Sequence, residues 1–194
     1  MTGVGRKELA VERFAIKDLI AWKNSPRRRP LLVQGARQVG KTWLIREFGQ
    51  THFAAVAYVN FLEDEAMARQ FEGELAPARL LDAVTLYTGV NAKDPNTLVV
   101  FDEIQECPRA LTSLKSFAER SPETALVAAG SLLGVALHRG VSFPVGKVDH
   151  LLIYPLSFDE FLLATGNNLM LDTLRRGDLA LADSLSERYI EQLR

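Results

Sequence analysis

Val11, Ala15, Leu19 and Trp22 recur at helical spacing, with Ile16 and Ile20 beside them, and predict an amphipathic helix over roughly residues 8–24 that Ser25-Pro26 ends. A short apolar run, Leu31-Leu32-Val33, comes next, followed by glycines and a new helical pattern from Lys41 to Phe48, which reads as strand, loop, helix. Phe53–Asn60 is β-branched and aromatic enough to be a second strand. Residues 63–89 read as helical with a break near Gly73 and Pro77, and Asp94-Pro95-Asn96 is a turn. Thr97–Asp102 is a continuous apolar run of the kind found in strands buried on both faces. A helical segment over 109–120 is broken by Ser121-Pro122; Ala125–Ala129 is another buried strand and Leu151–Tyr154 the last. After Pro155 the pattern is helical to the end, with Leu181, Leu185, Tyr189 and Leu193 along one face. Strands alternating with helices imply a mostly parallel sheet covered on both sides.

Composition narrows the class. A chain of 194 residues, 47% hydrophobic and 24% charged, has the profile of one globular domain. Its longest uncharged stretch, around Ala125–Leu137, is interrupted by Gly130, Ser131 and Gly134 and falls short of the roughly 20 apolar residues of a membrane span, so no membrane partner is expected. The N-terminus lacks an apolar segment after its basic residues, which points to a cytoplasmic protein. Cys107 is the single cysteine, excluding an internal disulfide and any multi-cysteine metal site and reading as an inert thiol. His52, His138 and His150 share no ligand spacing. The net charge of -1 hides an asymmetry: residues 1–50 hold 11 Lys/Arg against 4 Asp/Glu, the remainder 12 against 20. That separation predicts an anionic ligand near the N-terminal segment. Duplex nucleic acid as the main partner would call for a more basic chain overall.

The candidate chemistry begins at Gly35-Ala36-Arg37-Gln38-Val39-Gly40-Lys41-Thr42, which fits GxxxxGK[ST], the Walker A pattern, between a predicted strand and a predicted helix. Gly35 and Gly40 let the backbone turn so that successive N–H groups point inward, and the first helical turn adds its positive end. Residues 35–42 are therefore the predicted nucleotide-binding segment, with Lys41 on the β- and γ-phosphates and the Thr42 hydroxyl on Mg²⁺. The second signal is Leu98-Val99-Val100-Phe101-Asp102-Glu103, a strand ending in two carboxylates. Asp102 is placed to hold Mg²⁺ beside Thr42, and Glu103 to polarise a water for attack on the γ-phosphate. Two acids opening the loop to the next helix are also what a helix start favours.

These two motifs, the strand ending in Ala129-Gly130-Ser131 and the run Tyr154-Pro155-Leu156-Ser157-Phe158-Asp159-Glu160-Phe161 resemble the AAA-type ATPase domain of a large prokaryotic family over about residues 10 to 165. Members of that family usually carry a C-terminal domain that looks nuclease-like. The resemblance implies an α/β P-loop NTPase fold, a three-layer sandwich around a parallel five-stranded sheet of order 5-1-4-3-2. It divides the chain into an N-terminal helix packed on the core (1–24), the ATPase core (25–165) and a helical segment (166–194) that reads as the start of a truncated lid or C-terminal region. It makes Ser131 the polar sensor of the γ-phosphate or attacking water; without it, a serine ending a strand is a turn residue. Relatives have Gly-Arg shortly before the final strand, whereas this chain has Gly146-Lys147, which keeps the charge and loses the bidentate fork. Arg139 reads as a solvated loop arginine or as a substitute for the missing one.

Arg27, Arg28 and Arg29 form the densest basic cluster, suited to a nucleotide base edge, a nucleic-acid backbone, an acidic partner or a solvated face. Trp22 and Trp43 fall on helical apolar positions, and core packing is expected for both. The reading that results is a Mg²⁺-dependent ATPase domain, with ATP preferred over GTP by the resemblance, ADP as product and a homo-oligomer expected. A nucleotide-gated module acting on nucleic acid or a protein partner, with little hydrolysis, is the alternative. A small-molecule P-loop kinase would need an acceptor pocket and an arginine-bearing lid.

Overall fold

A computed structural model describes residues 13–131, 146–184 and 186–191. Contacts divide the chain into two compact units, Ala15–Pro155 and a second made of Met1–Phe14 with Leu156–Arg194.

The larger unit is built on five strands, β1 (Leu31–Gln34), β2 (Ala55–Asn60), β3 (Thr97–Asp102), β4 (Ala125–Gly130) and β5 (Asp149–Leu152). All neighbours are parallel and the order is β2-β3-β4-β1-β5, the expected 5-1-4-3-2 counted from the other edge. Side chains alternate across the pleat, so each strand feeds two cores. Leu98, Val100, Val127 and Val33 point to one face, where Leu19 and Trp22 of α1 (Ile16–Lys23) and Leu44, Ile45 and Phe48 of α2 (Lys41–His52) cover them. Val99, Phe101, Leu126 and Leu32 point to the other. There they meet Met67 of α3 (Glu65–Arg69), Leu80 and Val84 of α4 (Pro77–Thr88), and Leu111, Leu114 and Phe117 of α5 (Pro108–Arg120). This is the three-layer arrangement, and β3 and β4 at its centre are buried at every position. α2 lies close on the sheet because Gly49 faces it: a Cβ there would stand 2.6 Å from Val56 Cγ2 and 3.1 Å from Leu98 Cδ2.

The last strand lies two residues earlier than the run Leu151–Tyr154 predicts. Its register is set by β1, with Leu31 opposite Asp149 and Gln34 opposite Leu152, and the Asp149 N–H donates to Pro30 O at 3.0 Å. At the edge of the sheet it alternates half-buried and exposed residues, so the apolar run overlaps it without defining it. α2 extends past Phe48 to His52, and the helix expected over 8–24 runs Ile16–Lys23, the described residues 13–15 before it being non-helical. Residues 1–12 lie outside the described residues, as do Arg139 and His138.

In the second unit the expected continuous helical pattern is divided into α6 (Phe158–Ala164), α7 (Asn168–Arg175), α8 (Leu179–Ser184) and α9 (Ser186–Glu191). Gly166 and Gly177, at φ +75° and +69°, follow α6 and α7 in the left-handed conformation that ends a helix. α6 opens with a capping box: Ser157 Oγ accepts from the Glu160 N–H, and Glu160 Oε2 accepts from the Ser157 N–H at 2.8 Å. Glu160, 5% exposed, also accepts from the Phe14 N–H at 2.7 Å and from Arg13 Nε at 3.2 Å. Leu181 is exposed, and the side chains of Leu185, Tyr189 and Leu193 lie outside the described residues. Among the described residues no helix is long and apolar enough to cross a membrane.

Candidate functional site at the carboxyl edge of the sheet

Parallel strands carry their C-terminal ends to one edge, and the loops after β1, β3 and β4 meet there. Gly35 follows β1 directly. A Cβ at that position would lie 2.4 Å from the Ile153 carbonyl oxygen, so glycine is what lets the loop pass the end of β5. Gly40 precedes α2 at φ +86°, and Gln38 adopts φ +63°. Lys41 opens α2, 7% exposed, and its Nζ donates to the Gly35 and Ala36 carbonyls at 3.0 and 2.7 Å. Burial pulls its pKa down, against the opposing pull of the Glu103 and Asp102 carboxylates.

The two motifs converge on one contact. Thr42 Oγ1 donates to Asp102 Oδ2 at 2.7 Å across 60 residues of sequence. Asp102, the last residue of β3 and 2% exposed, accepts on its other oxygen from the Glu103 N–H at 2.9 Å. Glu103 stands at φ +49°, ψ 44°, and its Oε2 accepts from Gln105 Nε2 at 2.5 Å. Glu103 and Gln38 are the non-glycine residues with positive φ among the described residues, and both line the same cavity. Such backbone costs about 1–3 kcal/mol per residue and gathers where a site demands it. Ser131 follows β4 on the cavity wall, and its Oγ is buried without a hydrogen-bond partner among the described residues, as is Gln105 Oε1.

The cavity has a volume of about 530 Å³ and is bounded by the loop, Lys41, Thr42, Glu103 and Ser131. Backbone N–H groups at a helix start with an ammonium suit a phosphate chain. A magnesium-type cation takes hard oxygen donors and is held by one or two protein oxygens plus phosphate, which Thr42 Oγ1 and Asp102 supply. The orphaned Ser131 hydroxyl calls for a further polar partner at the same place. Among the described residues no group of three or more His, Cys, Asp or Glu forms an all-protein metal cage.

A family model for the AAA domain matches residues 27–162. The chain belongs to the AAA domain family. Among solved structures, PCH-2 of C. elegans is similar at 16% identity with a TM-score of 0.40, over 84% of this chain and 46% of that one. This chain thus spans less than half the length of that protein. No curated protein matches it.

Other candidate residues lie elsewhere in the AAA domain. Arg27–Arg29 precede β1 and therefore sit at the opposite edge of the sheet from the cavity. Arg28 Nη2 donates to the Glu123 carbonyl at 2.7 Å and Arg29 Nη1 to the Gly146 carbonyl at 2.7 Å, so two of the three brace that edge. Lys147 precedes β5 and pairs with Glu119 of α5 at 3.1 Å, which keeps its charge off its own chain's cavity. Trp22 is buried as expected, but Trp43 is 46% exposed and lines the cavity, because α2 turns that position away from the sheet. Cys107 is buried, and burial pushes its thiol up, in keeping with an inert group. Sequence reasoning missed Tyr58 of β2, whose OH donates to Asp102 Oδ2 at 2.6 Å, and Arg46 of α2, stacked over the Tyr58 ring at 4.2 Å. It also missed Gln105, for which the offset of two from Glu103 was the available signal.

Proposed function

We propose that this AAA domain binds ATP with Mg²⁺ at residues 35–42 and hydrolyses it, releasing ADP and phosphate to drive a conformational change. The observation that carries the reading is the 2.7 Å contact of Thr42 Oγ1 with Asp102 Oδ2, which brings both motifs to one cavity. The loop N–H groups and Lys41 bind the phosphates, the ammonium exchanging its two carbonyl partners for phosphate oxygens. Thr42 and Asp102 are the residues that would hold magnesium, which when bound neutralises charge on the phosphate oxygens. Glu103, released from Gln105, takes a proton from water; the water oxygen bonds to the γ-phosphorus while the bond to the β-bridging oxygen breaks and ADP keeps that electron pair. Ser131 hydrogen-bonds the γ-phosphate or the water.

The test is Mg²⁺-dependent ATP hydrolysis by the full chain and by Glu103→Gln, with nucleotide affinity measured on both. Loss of about 10²-fold or more in turnover with affinity retained is expected for removal of a general base. Equal loss of both would make Glu103 structural.

A nucleotide-gated module acting on nucleic acid or a protein partner is the second reading. It is favoured by the hydrogen bond that holds Glu103 to Gln105 and by the engagement of Lys147 with Glu119. Nucleotide binding without turnover in either protein would select it.

A further inference from the structure

Asp102 is held by more than Thr42. Val56, Tyr58, Val100 and Leu98 share one face of the sheet, the face that α2 covers. The register of β2 on β3 sets Tyr58 opposite Val100 and Asn60 opposite Asp102, so the phenol reaches one step diagonally toward the end of β3. Its OH donates to Asp102 Oδ2 at 2.6 Å, and the same oxygen accepts from Thr42 Oγ1 at 2.7 Å. The Glu103 N–H holds Oδ1 at 2.9 Å. Three donors from three places in the chain therefore fix a carboxylate that any one of them would leave free to rotate. The tyrosine ring is itself held: Arg46, one helical turn beyond Thr42, lies over it at 4.2 Å, and the ring packs against the core of this face.

We infer that Tyr58 is a positioning residue for the metal site, its phenol orienting Asp102 so that Oδ2 and the Thr42 hydroxyl are presented together. This rests on the reading of Thr42 and Asp102 as the groups that hold magnesium. A tyrosine that only stabilised the fold would contribute to unfolding resistance and leave the response to magnesium alone.

The experiment measures affinity of the full chain for the non-hydrolysable analogue adenylyl imidodiphosphate by calorimetry, without Mg²⁺ and across a Mg²⁺ titration. Tyr58→Phe removes one hydroxyl and keeps the ring. The expected result is wild-type affinity without metal, a melting temperature within a few degrees of wild type, and about tenfold more Mg²⁺ needed for half of the affinity gain, as for loss of one hydrogen bond to a charged group. Arg46→Ala, at an exposed position, is expected to move the same midpoint in the same direction by loosening the ring. An unchanged or lowered Mg²⁺ midpoint in Tyr58→Phe, with wild type responding to Mg²⁺, overturns the role of Tyr58 alone. A wild type that binds the analogue without any response to Mg²⁺ overturns the metal assignment and the role of Tyr58 with it. If Tyr58→Phe fails to fold, an unmoved midpoint in Arg46→Ala overturns the inference.

Discussion

Lys41 is a cation folded back on its own loop, its ammonium satisfied by two carbonyls rather than by a carboxylate. Under the proposed function phosphate oxygens replace those carbonyls, which is favourable because they bring an opposite charge that a carbonyl lacks. Lys41→Ala is expected to weaken ATP binding by about ten- to a hundredfold, the worth of one or two such bonds. Calorimetric titration checks it, and unchanged affinity would remove Lys41 from the phosphate cradle. This residue was legible in the sequence because its role is local: a strand, a glycine loop and a helix start follow one another without a break from Leu31 to Thr42. The meeting of Thr42 with Asp102 was legible too, since both motifs end strands of one parallel sheet. Tyr58 was not, because its contact depends on the pairing register of β2 with β3, which no short pattern announces. Lys147, a candidate through the resemblance, and Arg27–Arg29, candidates through charge, precede strands, and strand direction puts them at the edge away from the loop.

At the scale of elements, the buried strands were the most legible, since β3 and β4 need apolar side chains on both faces. The edge strand was the least, because half of its residues face outward and its limits come from β1. The helices after Pro155 show why periodicity alone overextends: the helical pattern read to the end of the chain crosses Gly166 and Gly177, where the backbone turns left-handed. The spacing of α2 from the sheet rests on one residue. Gly49→Ala gains about 1 kcal/mol of helix propensity, yet its Cβ would press a stiff β-branched Val56 at 2.6 Å. Overpacking costs about 1–3 kcal/mol, so a net loss of up to about 2 kcal/mol is expected. Urea denaturation followed by circular dichroism checks it, and a more stable variant would mean that the helix and sheet can separate without cost.

At the scale of the whole molecule, the charge asymmetry read from the sequence is divided between two ends of one sheet. Lys41 and Arg37 border the cavity, whereas Arg28 and Arg29 tie loops at the other edge, so the excess of positive charge is only partly a ligand signal. The second unit has its own electrostatic support. Burial alone raises the Glu160 carboxyl, but the Ser157 and Phe14 N–H groups and the Arg13 guanidinium outweigh it and hold the pKa below its ordinary 4.5. A carboxyl depressed in the folded state contributes stability that is present above pH 4.5 and is lost as pH falls through the lower folded value. Acid unfolding of the wild type is therefore expected to steepen below about pH 4.5 and that of Glu160→Gln to be flatter. Denaturant titrations from neutral to acid pH check this, and parallel profiles would show that Glu160 is equally stabilised in the unfolded chain.

Ile153, just after β5, meets the end of β1 and the start of the loop: its N–H donates to the Gln34 carbonyl at 2.7 Å, and its carbonyl oxygen occupies the space that a side chain at Gly35 would need. Loop and outer strand are thereby held together at one residue. Under the proposed function, a loop that tightens on nucleotide is expected to stiffen that contact. Hydrogen exchange at the Ile153 amide should slow when nucleotide is bound, reporting the state of the loop from an outer strand and without a label.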